Sequence, residues 1–198
     1  MGEMMIKERD LSGKIYPDIM IDLETMGNGS DSAIVSIAAV EFDINTGEMG
    51  GSFYSKVSLE SCVRAGLKMY PSTVLWWMKQ SEEARAEISS GGGMELDEML
   101  AQLAEFMNPS SRTIKNNVNV WANSPRFDLG ILQTAYGLFN RPIPWDFRNE
   151  RDVRTLASYD PASKNSVAFE GTPHNPLHDC IHQIRYCRLI HGPLNSHF

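Results

Sequence analysis

No stretch of this sequence approaches the roughly 20 consecutive apolar residues that a membrane-spanning helix needs. The N-terminus, MGEMMIKERD, lacks the apolar core of a secretory signal. Together these absences lead us to expect a cytoplasmic protein. Cysteine is scarce: Cys62, Cys180 and Cys187 make an odd set with no C-x-x-C pair. Neither a disulfide framework nor a cysteine zinc site is indicated. Cys180 and Cys187 lie on what reads as a helix and are expected in the core. Internal repeats are missing. So is any excess of positive charge: the net charge of −7 opposes long-range attraction to nucleic acid. It does not exclude nucleic acid as a substrate, because acids grouped around divalent cations add to such a deficit and the bound ions reverse the local field.

What is present is an ordinary globular composition, 42% hydrophobic and 22% charged over 198 residues. That is enough for one sizeable core. The expected organisation is a flexible N-terminal arm over residues 1–17 and a single domain over 18–198. Apolar runs over 18–23 and 33–42 and a more polar alternation over 53–58 predict three strands. Short links between them imply an antiparallel meander. Pro71-Ser72-Thr73 opens a helix through Trp76, Trp77 and Met78, and Ser81 caps another. Gly91-Gly92-Gly93 punctuates the chain. Apolar positions 96, 99, 100, 103, 106 and 107 have helical spacing. A strand follows at 118–122, then a helix with Ser124-Pro125 as cap and first turn, ended by Gly137. Residues 140–149 read as irregular, 152–159 as a short helix and 165–172 as a polar loop. A last helix is expected from Pro176 to about Ile190, stopped by Gly192-Pro193. The fold class predicted is α/β: a mixed central sheet, three antiparallel strands followed by α/β units, with helices on both faces.

The chemistry gathers at three places. Asp22 and Glu24 close an apolar strand, and side chains two apart on a strand share a face. Two carboxylates held that close repel, more so when buried, and their oxygens are the donors Mg²⁺ and Mn²⁺ prefer. Asp128 falls in the first turn of the helix after Ser124, and Asp179 in the first turn after Pro176. Taken singly, each is explained by a helix dipole. In a sheet sandwich both helix starts can face the end of the first strand, and four carboxylates suffice for two divalent ions. His178 and His182 stand four apart, a spacing that can bind zinc, but no His-Glu-x-x-His arrangement accompanies them.

Asp22-x-Glu24 on a strand, Phe127-Asp128 at a helix start and His174-x-x-x-x-Asp179 together resemble the DEDDh 3′→5′ exonucleases. This is the superfamily of ribonuclease T and of polymerase proofreading domains, with a ribonuclease H-like fold. Further stretches are similar to exodeoxyribonucleases of tailed phages and their prophage relatives. These are Ile21-Asp22-Leu23-Glu24-Thr25-Met26-Gly27, Trp76-Trp77-x-x-Gln80-Ser81-x-x-Ala84-Arg85, Arg151-Asp152-Val153-Arg154-Thr155 and His178-Asp179-Cys180. Two departures stand out: Met26 where many members carry a second threonine, and Asn123 five rather than four residues before Asp128.

The resemblance implies that Asp22, Glu24, Asp128 and Asp179 hold two Mg²⁺ or Mn²⁺ ions and that His174 is the general base. It implies that Thr25 and Gly27 offer backbone groups near a terminal 3′-hydroxyl. Met26 and Phe127 either wedge the terminal nucleotide or merely cover the core. Of the neighbouring indoles one is expected inside; Trp77 is the one assigned to the groove, stacking on a base. Arg126 and Arg154 either reach phosphate or are solvated surface charges. The expected partner is nucleic acid with a free 3′ end, DNA favoured over RNA, with no membrane and with a homodimer open. A 3′→5′ exoribonuclease and a catalytically silent nucleic-acid-binding module are the alternatives.

Overall fold

Strand β1 (Asp18–Thr25) is buried along its whole length. It has a strand on either side and helices over both faces. We describe a computed structural model of the chain, covering residues 14–89, 91–108 and 118–195. Strand β2 (Ile34–Phe42) runs antiparallel to β1, and β3 (Met49–Lys56) antiparallel to β2. Strands β4 (Asn119–Ala122) and β5 (Glu150–Asp152) extend the other side in parallel, giving the order β3-β2-β1-β4-β5. The result is a five-stranded mixed sheet.

Alternation along β1 sorts its side chains. Ile19, Ile21 and Leu23 enter one apolar cluster; Met20 enters the other. Full burial of a side chain of this size contributes roughly 1.5–3 kcal/mol. The first cluster is closed by α1 (Leu59–Ala65), α2 (Pro71–Trp77), α3 (Glu82–Ser89), α4 (Leu96–Met107) and α5 (Asp128–Leu138). The second is closed by α6 (Val153–Tyr159) and α8 (Pro176–Asn195), with α7 (Pro161–Ser166) packed on α8. Cys62, Cys180 and Cys187 are all free and buried. No described helix is long and apolar enough to cross a membrane.

The meander, the mixed sheet and the two helical layers match the expected architecture. All six apolar positions expected to line α4 are buried. Local boundaries differ. Strand β1 runs on to Thr25, and β3 begins at Met49 rather than at 53. Ser124-Pro125 forms a turn and not a cap. The Ser124 carbonyl accepts from the Phe127 and Asp128 amides, and α5 starts at Asp128. Gly137 lies inside α5, and the left-handed residue that follows is Asn140 at φ 52°. α8 continues through Gly192-Pro193 to Asn195. Helices α1 and α7 and strand β5 were not read from sequence, and a 3-10 turn occupies Phe147–Asn149. Residues 1–13 of the expected arm lie outside the described residues. Tyr16 is buried, its hydroxyl donating to Glu48 Oε1 across 3.1 Å.

Candidate active site

The even-numbered residues of β1 face α6 and α8, which puts Asp22 and Glu24 beside the N-terminal turns of α8. Both are 9% exposed. Asp179, in the first turn of α8, meets them: one oxygen from each of the three carboxylates lies within 4.8 Å of the others. Asp128, the first residue of α5, is also buried and lines the same cavity of about 250 Å³. Its carboxylate accepts from the Leu23 N–H at 3.2 Å and the Ser124 N–H at 3.4 Å. Asp128 is thereby locked to the strand that bears the first two acids.

Burial sets the electrostatics. Desolvation raises Asp22 well above the ordinary carboxylate range, and the charges of Asp128 and Asp179 push it further. The one opposing contact is the Gln183 amide, which donates to Asp22 Oδ1 at 2.8 Å. Burial lifts Asp128 to about 7, against the pull of the Ser124 and Leu23 amides. Asp179 is raised by burial too, opposed by His174 and His178. Asp179 Oδ2 is buried without a hydrogen-bond partner. Crowded carboxylates with raised protonation and a bare oxygen fit a divalent cation, which supplies the missing countercharge.

The loop before α8 brings His174 to this cavity, with Nδ1 3.9 Å from Glu24 Oε1. Trp76 and Trp77 flank the imidazole, ring centroids 5.1 and 5.8 Å away, both edge-to-face. All five motif residues named from sequence therefore line or border one cavity. Among the described residues His178 and His182 join no group of three metal-competent side chains. Among the described residues the carboxylate trio is the metal-competent group, and His178 Nδ1 instead accepts from the Thr172 N–H.

Comparison with known proteins bears on this arrangement. The model of the 3′-5′ exoribonuclease Rv2179c-like domain matches residues 17–191. The chain belongs to this family. An exodeoxyribonuclease of Enterobacteria phage T4 is 28% identical, over 84% of this chain and 86% of that protein. The nuclease domain of 3′hExo, a DEDDh family member bound to rAMP, superposes with a TM-score of 0.61. It is 14% identical, covering 90% of this chain and 93% of that one. E. coli exonuclease I, in complex with a dT13 oligonucleotide, gives a TM-score of 0.59 at 16% identity. There the match covers 92% of this chain but 43% of the other. The protein is a 3′-5′ exonuclease, a hydrolase of nucleic acid, and it shares the ribonuclease H-like fold of the DEDDh nuclease domain.

Around the acids of this exonuclease, the contacts expected for substrate need revision. Trp77 is 1% exposed, and its indole N–H donates to the Thr25 carbonyl at 3.0 Å. It cannot stack on a base; Trp76, 43% exposed, is the indole that faces solvent. The adjacent positions on α2 point about 100° apart, and sequence offers no sign of which one is inside. Met26 is also interior, packed in the first apolar cluster, so it does not wedge a nucleotide. Thr25, Met26 and Gly27 stand outside the cavity lining, whereas Phe127 and Arg154 belong to it. The Thr25 hydroxyl donates to the Gly27 carbonyl at 2.7 Å. Gly27 serves close packing: a β-carbon there would lie 2.2 Å from the Tyr70 ring. With the Tyr70 N–H donating to the Met26 carbonyl at 2.7 Å, this pins the chain just after Glu24.

Two residues of the site escaped the sequence reading. Gln183, one helical turn beyond Asp179, orients Asp22. Asn175 caps α8, its Oδ1 accepting from the Leu177 and His178 amides at 3.1 and 3.2 Å. The Asn-Pro pair at 175–176 was the available signal for that cap.

Proposed function

We propose that this exonuclease is a metal-dependent enzyme whose preferred substrate is single-stranded DNA, shortened from a free 3′-hydroxyl to nucleoside monophosphates. The observation that carries the metal dependence is the buried trio Asp22, Glu24 and Asp179 with its unpartnered oxygen. In this reading those three and Asp128 hold two Mg²⁺ or Mn²⁺ ions, within one catalytic domain over residues 18–198 acting in the cytoplasm. Bound there, the ions would supply an activated water and stabilise charge on the phosphoryl group and leaving oxygen.

The chain's own residues do the rest. Gln183 holds Asp22 in its orientation, and the Leu23 and Ser124 amides hold Asp128. His174 takes the proton of the attacking water at an imidazole nitrogen, the role of a general base placed beside the acids. Its 38% side-chain exposure lets that proton pass on to solvent. Arg154 offers a planar cation to a phosphate oxygen at the cavity edge. Phe127, at the same edge, presents a ring to the terminal nucleotide. Trp76 offers the next base a stacking face, a contact tolerant of sequence.

Similarity to the phage exodeoxyribonuclease supports DNA. The family's own description supports a second reading, an exoribonuclease. Matched 5′-labelled DNA and RNA oligonucleotides, with free or phosphorylated 3′ ends, separate these. The expected result is a ladder shortening from the free 3′ end, faster on DNA, and no digestion of the 3′-phosphate strands. A faster ladder on RNA selects the second reading. Equal loss of blocked and free strands contradicts the polarity.

A further inference from the structure

The segment Thr172-Pro173-His174-Asn175 is a closed turn: the Asn175 N–H donates to the Thr172 carbonyl at 3.2 Å. Pro173 holds its second position and His174, at φ 64°, its third. That is the type II pattern, where proline presets the second residue and the third, normally glycine or asparagine, takes positive φ. A histidine there is strained, and such strain persists only where the surroundings over-determine it. The surroundings are visible. At the far corner Asn175 is fixed to α8 by its capping bonds to the Leu177 and His178 amides. At the near corner the Thr172 N–H donates to His178 Nδ1 at 3.0 Å. The His178 ring packs against Gly171, at φ 103°, where a β-carbon would come within 2.6 Å of the ring Cγ. On the third side stand the Trp76 and Trp77 rings.

We infer that His178 is a positioning residue for the general base: its imidazole anchors the near corner of the turn and so holds His174 over the carboxylates. This rests on His174 being that base. An Nδ1 that accepts from a backbone N–H carries the ring proton on Nε2, so this nitrogen is occupied by the loop and is not a metal ligand. Without it the near corner is released, and the turn is held by the Asn175 cap, the tryptophan rings and the hydrogen bond of the His174 backbone to the Asp179 carboxylate. His174 is then free to leave the left-handed conformation and its place 3.9 Å from Glu24. Among the described residues His178 Nδ1 is the acceptor observed for the Thr172 N–H.

The test uses two variants in two backgrounds. His178→Phe keeps a ring over Gly171 but removes the acceptor; His178→Gln keeps an acceptor on a flexible stem. Measured on a labelled oligonucleotide at saturating metal, His178→Phe should lower kcat by about 10- to 100-fold, the scale of a misplaced catalytic group. KM and the metal midpoint should stay in place, and His178→Gln should recover part of the rate. In a His174→Ala background, His178→Phe should cost nothing further, since residues acting through one another are non-additive. Amide exchange at Thr172, followed by NMR, should quicken in His178→Phe while the β1 amides stay protected, which also shows the fold intact. Equal losses in both backgrounds, or a shifted metal midpoint, would overturn the inference and tie His178 to Asp179 instead. If His174→Ala left kcat normal, the base reading would fall, and unchanged Thr172 exchange in His178→Phe would separately refute the anchor.

Discussion

Strand β1 carries buried acids at both ends of one face, and they live under opposite conditions. Asp18 is 1% exposed and fully partnered: it accepts from the Ile44 N–H, the Asn119 amide and the Trp121 indole at 3.1, 3.0 and 2.8 Å. Four residues on, Asp22 has one donor among the described residues, Gln183, and faces Asp128 and Asp179. A buried carboxylate that is hydrogen-bonded on all sides ties elements together, here β1 to β4 and to the turn after β2. Buried carboxylates that confront one another are under-compensated, and that deficit is what a cation relieves. Burial alone does not mark the site; the missing partners do.

Neutralising the acids one at a time should have the largest effects. Asp22→Asn, Glu24→Gln, Asp128→Asn and Asp179→Asn are each expected to nearly abolish turnover with the fold retained, as read by rate and by thermal melt. Asp18→Asn should do the reverse: near-normal chemistry, with a stability loss of about 1–3 kcal/mol because one of its donors loses its acceptor. Next in size, His174→Ala should lower the chemical step by about 10²–10⁴-fold, leaving metal affinity unmoved.

The two tryptophans repeat the contrast between a structural and an exposed residue. Trp77→Ala removes a buried ring and its bond to Thr25, for an expected loss of about 3–5 kcal/mol in denaturant unfolding. Trp76→Ala should leave stability nearly unchanged and weaken oligonucleotide binding by about 1–3 kcal/mol, read by a binding titration. An unchanged affinity would leave Trp76 as a neighbour of His174 only.

The smallest effect concerns pH. Asp128 is raised to about 7 in the fold and Asp22 is raised too, so the folded state holds these protons more tightly than the unfolded chain. The contribution of Asp128 to stability is therefore full below about pH 4, the unfolded carboxylate range, and is lost as pH rises through about 7; that of Asp22 is lost in the same direction as pH rises. In chelator, the melting temperature should carry a component that falls by a few degrees across that window. Saturating Mg²⁺ or Asp128→Asn should flatten it. A slope untouched by both would place its origin elsewhere.

Sequence legibility followed the same division. Asp22 and Glu24 could be named because they close an apolar strand, Asp128 and Asp179 because each follows a helix-start signal, and His174 through the likeness of His174-x-x-x-x-Asp179 to a known motif. The layers could be named because β1, β2 and α4 are patterned along their whole length. Gln183 was invisible because a polar residue on a helix looks the same whether it meets water or Asp22. Trp76 and Trp77 were reversed because adjacent indoles carry no signal of which faces inward. Helix α1 and strand β5 were missed because seven and three residues are too few for a period to show. At Ser124, the cap signature was genuine local chemistry overridden by the contact of Asp128 with the Leu23 and Ser124 amides.

The most direct measurement is cleavage of a 5′-labelled single strand as a function of added metal, starting from EDTA, for the parent, Asp18→Asn and Asp22→Asn. No cleavage is expected in EDTA. Recovery is expected at the same Mg²⁺ or Mn²⁺ concentration for the parent and Asp18→Asn, and none for Asp22→Asn at any concentration tried. Full cleavage in EDTA, or recovery of Asp22→Asn alongside the parent, would contradict this expectation.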